Sequence, residues 1–125
     1  MSRAYRMVAY LEIDATLSAE DRTFWQDTLY RCIDDPMDVL EGQEQESDPE
    51  DVEIQPLQGG IRFFLDKERY LCNGYSQEEY AEDFRRAMHL LTQDAVPDFK
   101  VSLNMYYLER DPDLDVEYDR QELAA

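Results

Sequence analysis

Cations are what this 125-residue chain has least of. Lys67 and Lys100 are its two lysines, beside ten arginines, and 30 carboxylates against 12 Lys and Arg give a formal net charge of −18. Phosphate contacts need Lys and Arg, so the charge argues against direct nucleic-acid binding. An anionic membrane surface is disfavoured for the same reason. Histidine occurs once, as His89. It lies about 180° around a helix from Tyr80 at 100° per residue, with no Asp or Glu three or four positions away, so it reads as a solvent-facing residue rather than a catalytic or metal-binding one. The chain has no G-x-S-x-G, P-loop, G-x-G-x-x-G or H-E-x-x-H. No apolar run approaches the roughly 18 residues of a membrane span. The first residues, MSRAYRMVAYLEID, lack the apolar stretch and small-residue cleavage site of a signal peptide. The two cysteines, Cys32 and Cys72, are forty residues apart, neither a metal nor a redox spacing. Two reduced, buried thiols in a cytoplasmic protein are the expectation.

Carboxylates are abundant, yet acid/base catalysis needs two in different environments within a cleft. Most of these fall in loop or tail, where water keeps them alike, so the chain reads as a non-enzyme without cofactor or metal. The tail places Asp111, Asp113, Asp115 and Glu122 at positions 1, 3, 5 and 12 of an EF-hand loop. Val116 stands where that loop needs glycine, and no exiting helix has room to follow, which argues against a specific calcium site.

The distribution of the charge is more informative than its total. Residues 32–61 hold ten carboxylates and no Lys or Arg, and residues 109–125 hold seven carboxylates beside Arg110 and Arg120. These segments contribute −10 and −5, leaving −3 for all the rest. Such clustering repels itself and weakens a compact state, so it calls for a purpose. With 43% hydrophobic residues the chain can still bury a core as one domain.

Residues 5–13 alternate as a strand with Tyr5, Met7, Ala9, Leu11 and Ile13 on one face. Ser18 and Asp21 open a helix whose expected inner stripe is Phe24, Thr28, Leu29, Cys32 and Ile33, with Trp25 beside it. Pro36 ends that helix. Residues 41–51, EGQEQESDPED, read as a mobile loop without periodicity. Val52–Leu57 and Ile61–Leu65 flank Gly59-Gly60 as a hairpin, with Pro56 marking an edge strand. Asp66–Arg69 reads as a turn and Tyr70–Cys72 as a short further strand. Ser76 and Glu79 form a capping box for a second helix, with Tyr75 and Tyr80 in staple positions and Tyr80, Phe84, Ala87, Met88 and Leu91 as its inner stripe. Phe99–Leu108 is a last long strand.

The order β-α-β-β-α-β predicts a ferredoxin-like α+β domain over residues 1–108: an antiparallel sheet, two helices on one face, and the acidic loop 41–51 inserted. Residues 109–125 are the acidic C-terminal extension. Within it DLDVEYD alternates acids with Leu114, Val116 and Tyr118, the pattern of a strand carrying carboxylates on one side. On the opposite sheet face Val8, Tyr10, Phe64, Tyr106 and Leu108 are expected to lie exposed. That face resembles RNA-recognition modules in having aromatics on an open sheet, but GGIRFFLDK lacks their signature and the charge opposes RNA. An apolar patch there suits a homodimer contact, a partner site, or cover by the tail.

These features point to an interaction or inhibitor protein that occupies a basic surface of a partner, such as a nucleic-acid-binding effector or nuclease. In size, charge and lack of catalytic groups the chain resembles phage anti-defence proteins that imitate DNA, of anti-CRISPR or anti-restriction type. A toxin-neutralising immunity protein is the alternative, and a haloadapted housekeeping domain a third reading. The residues expected to meet the partner are Glu44, Glu46, Asp48, Glu50 and Asp51 in the loop and Asp113, Asp115, Glu117 and Asp119 in the tail, with Tyr10 and Tyr106 on the sheet.

Overall fold

A computed structural model describes residues 3–72, 74–108 and 110–125. Glu109, one of the seven tail carboxylates, lies outside the described residues. The elements run β1 (Arg3–Ile13), α1 (Ala19–Asp34), α2 (Pro36–Glu41), β2 (Glu53–Leu57), β3 (Gly60–Leu71), α3 (Gln77–Thr92), β4 (Phe99–Tyr107), β5 (Leu114–Asp119) and α4 (Arg120–Ala124), with a 3-10 turn at Pro49–Asp51 before β2. The five strands form one sheet in the order β2-β3-β1-β4-β5, with every neighbouring pair antiparallel. Four helices complete an α+β fold consistent with the ferredoxin-like type.

Alternation along the strands decides which face the helices cover. Met7, Ala9, Leu11 and Ile13 of β1 and Phe99, Val101, Leu103 and Met105 of β4 are buried with Ile61, Phe63 and Leu65 of β3. Pro56 sits in edge strand β2, where its missing N–H costs no ladder bond. The turn into β3 needs both glycines. Gly59 takes a φ of 77°, and a Cβ on Gly60 would lie 2.6 Å from the Ile13 carbonyl oxygen.

Both long helices begin where the sequence says. Ser18 accepts from the Asp21 N–H at 3.1 Å, and Ser76 and Glu79 form a reciprocal capping box. The Tyr75 and Tyr80 rings meet edge to face with centroids 6.3 Å apart. In α1, however, the inner stripe is Trp25, Thr28, Leu29, Cys32 and Ile33, while Phe24 is 43% exposed. That set follows the i, i+3, i+4, i+7, i+8 rule from Trp25, which rests 5.1 Å from the Phe99 ring. Phe24 is turned one step off the stripe.

Three other expectations give way. The turn at Asp66–Arg69 does not form: β3 runs unbroken through it, paired with all eleven residues of β1. The ladder of a long β1 needs partners along its whole length. Lys67 is tolerated on the helix side because its ammonium reaches Asp34 at 3.6 Å and lies 5.3 Å from the centre of the Tyr30 ring. Cys72 is exposed at the end of β3 rather than buried; Cys32 is buried, and both thiols are free. Val8 is only 5% exposed, whereas Leu108 stands out at 67% with a φ of 53°.

Candidate functional site

The acidic residues of the two segments are held in two ordered strips. After Gly42 closes α2 in the left-handed region, residues 43–48 run back along α1 as a strap. Gln45 ties its start down: its side-chain amide donates to the Asp35 carbonyl at 3.1 Å and accepts from Arg31 at 3.3 Å. Its end is pinned where Val52 buries its side chain and accepts from Gln26 at 2.9 Å. Between these anchors exposure alternates. Glu44, Glu46, Asp48 and Glu50 are exposed, and Gln45, Ser47 and Pro49 are half-buried between them. The segment expected to lack periodicity therefore has a period of two. Its inward positions are polar or proline, so hydropathy does not reveal it. Asp51 is exposed beside them.

The second strip is built by β5. Leu114, Val116 and Tyr118 pack against the core, so alternation sends Asp115, Glu117 and Asp119 to the other sheet face, with Asp113 exposed just ahead. Successive carboxylates in such a strand stand about 6.6 Å apart. Below the strand, α4 is anchored by Leu123, by Arg85 donating to the Leu123 and Ala125 carbonyls, and by Arg120 donating to the Thr92 and Pro97 carbonyls.

The two strips do not converge. One flanks α1 and leads into β2, the other is β5, and these strands are opposite edges of a five-stranded sheet. Four strand spacings, about 19 Å, separate the edges. The sheet does bring Tyr10 and Tyr106 onto the same face as Asp115, Glu117 and Asp119.

The centre of that face is not simply apolar. Arg6 grips Asp66 with contacts of 2.9–3.1 Å and lies 5.3 Å from the centre of the Tyr106 ring. Arg62 pairs with Glu12 at 3.0 Å and lies 5.5 Å from the centre of the Tyr10 ring, which itself is 5.0 Å from Phe64. Guanidinium groups thus lie over the aromatics. The tail does not cover this face, because β5 extends the sheet beside β4.

Eight ion pairs form among the described residues, and none involves Glu44, Glu46, Asp48, Glu50 or Asp51. In β5, Glu117 has Lys100 at 3.8 Å with both side chains mostly exposed, a weak pairing. Asp115 accepts from the Asn104 amide at 2.6 Å, and Asp119 caps α4. Crowding of like charge is felt at α2, where partial desolvation and then the Asp35 carboxylate push the pKa of Asp38 above its ordinary value. No group of three or more His, Cys, Asp or Glu among the described residues is arranged to hold a metal ion.

A groove of about 580 Å³ opens at one end of the sheet, lined among others by Asp14, Leu57, Asp98, Lys100, Asp119 and Arg120. Its residues come from four distant parts of the chain, so no sequence motif announces it. Arg120, the strongest cation in it, is already bound to two carbonyls, lies 3.8 Å from Asp98 and sits over Phe99. No helix is long and apolar enough to cross a membrane among the described residues.

No family model, no curated protein and no solved structure matches this chain.

Proposed function

We propose that this protein is a non-catalytic interaction protein whose two carboxylate strips dock on a basic protein surface. The observation that carries this reading is the pairing census. Several cations of the body are engaged, Arg6, Arg62 and Arg85 with carboxylates of the body and Arg120 with backbone carbonyls, while the strap carboxylates have no ion-pair or hydrogen-bond partner among the described residues. Acids placed at every second residue of an anchored strap need little further backbone ordering on binding. A surface lined with Arg and Lys that normally meets phosphates gains much of its affinity from them, and fixed carboxylates accept the same charge-assisted hydrogen bonds. A nucleic-acid-binding effector or nuclease is therefore the favoured partner, in the manner of anti-defence proteins that imitate DNA. A toxin-neutralising immunity role uses the same electrostatics with a different partner. Two free thiols accord with a reducing, cytoplasmic setting. Self-association through the open sheet face has less support, since ion pairs and cation–aromatic contacts already occupy it.

The test is a triple reversal in the strap, Glu44→Lys, Glu46→Lys and Asp48→Lys. Partner binding is expected to fall by at least tenfold, while the melting temperature stays equal or rises as self-repulsion is relieved. Unchanged binding would reduce the strap to a solvated connector.

A further inference from the structure

We infer that the outer edge of β5 is a strand-addition site for an extended partner segment in which basic residues alternate with apolar ones. The inference rests on the reading of a cationic partner and specifies how part of it is held. β5 pairs with β4 alone, and among the described residues no backbone group of 114–118 has a hydrogen-bond partner on its outer side, while the Asp119 N–H is taken by the Glu122 side chain at 3.1 Å. Such an edge is a row of open N–H and C=O groups, which natural sheets blunt with proline, lysine or short length. The opposite edge strand, β2, has five residues and carries Pro56. β5 has six residues and neither proline nor lysine.

What β5 carries instead differs between its two sides. Asp115, Glu117 and Asp119 line the open face, and half-buried Leu114, Val116 and Tyr118 line the helix face. An added strand would lie about 4.8 Å away with its side chains alternating between the same two faces. Basic residues at every second position would then stand beside the carboxylates, and the intervening apolar residues would finish covering Leu114, Val116 and Tyr118. A second copy of this chain fits poorly, because its own carboxylates would be brought against these. The acidic strip thus acts as a filter on the edge: it rejects self-pairing and admits a cationic strand.

The experiment titrates the intact protein at low salt with four seven-residue peptides, followed by calorimetry and amide hydrogen exchange. The first alternates arginine with valine and tyrosine. The second has the same composition with the arginines in one block. The third and fourth repeat the first with alternate amide nitrogens methylated, in the two possible phases. The alternating peptide is expected to bind at least tenfold tighter than the block peptide and to slow exchange of amides in 114–119. One of the two methylated phases is expected to lose that advantage, because it removes the donors facing β5. Equal binding of all four peptides would overturn the strand-addition site while leaving a cationic partner in place. Binding of none would overturn the strand-addition site, the reading of a cationic partner being tested separately by the strap reversal. A dimer formed by the protein alone with protected β5 amides would also overturn it.

Discussion

Two residues report how the fold tolerates its own charge and closes its own helix ends. Tyr80 is fully buried on α3, and its hydroxyl donates to the Ile33 carbonyl at 2.5 Å. Ile33 lies in the last turn of α1, where carbonyls have no intrahelical partner, so a side chain of one helix caps the other. Burial holds the pKa of the phenol well above its ordinary value and keeps it a donor throughout the stable pH range. Tyr80→Phe is expected to lower unfolding free energy by about 1–2 kcal/mol in urea titration; a loss near zero would show the carbonyl satisfied by water. Asp38 makes the complementary case. Its folded pKa is raised, so its ionised form is penalised in the native state. The associated stabilisation is present below the unfolded value and lost as pH rises through the folded one. Asp38→Asn is therefore expected to melt higher than the parent at pH 7. That gain should shrink as the solution is acidified through the raised value, because the native carboxyl then takes up its own proton. The backbone cap from Asp38 N–H to Asp35 at 3.2 Å does not depend on the substituted atom.

The elements divide into those whose patterns repeat a single rule and those where two rules compete. The capping box and stripe of α3, the alternation of β1 and β4, and the Gly59-Gly60 turn each follow from one local rule, and each was legible in the residues. Phe24 and Trp25 were not separable by hydropathy, since either could begin a stripe; contact with Phe99 favours Trp25. The charged run Asp66–Arg69 looks like a turn locally and becomes strand because β1 demands a partner of its own length. The strap hid its alternation because Gln45 and Ser47 are polar, although the acids at 44, 46, 48 and 50 carry the period plainly. The end groove was illegible, being assembled from segments about a hundred residues apart. At the C-terminus, Leu123 is 1% exposed and seats α4 beside β5. Leu123→Ala is expected to cost about 2–4 kcal/mol and to speed amide exchange in 114–124 more than in β1. A uniform loss of protection would mean that α4 is integral to the central core rather than a clamp for the edge strand.

For the whole molecule, the formal charge of −18 is the dominant fact, and the fold organises it rather than cancelling it. The central strands carry balanced pairs such as Arg6–Asp66 and Arg62–Glu12, while the excess collects on the strap and on β5 at opposite edges. A partner that meets both strips must present two separate cationic regions, one for the strap beside α1 and one for the sheet edge at β5, whereas a partner meeting one strip needs only a single basic ridge. Attraction of this kind is long-ranged and screened by salt, with a Debye length of about 8 Å at physiological ionic strength. Affinity capture from cells that naturally express the protein, repeated at low and high salt, tests the central claim most directly. The account predicts a stoichiometric partner with a basic surface, retained at low salt, released at high salt, and lost with the triple strap reversal. A partner that is acidic, or one that stays bound at high salt and ignores the reversal, would contradict it.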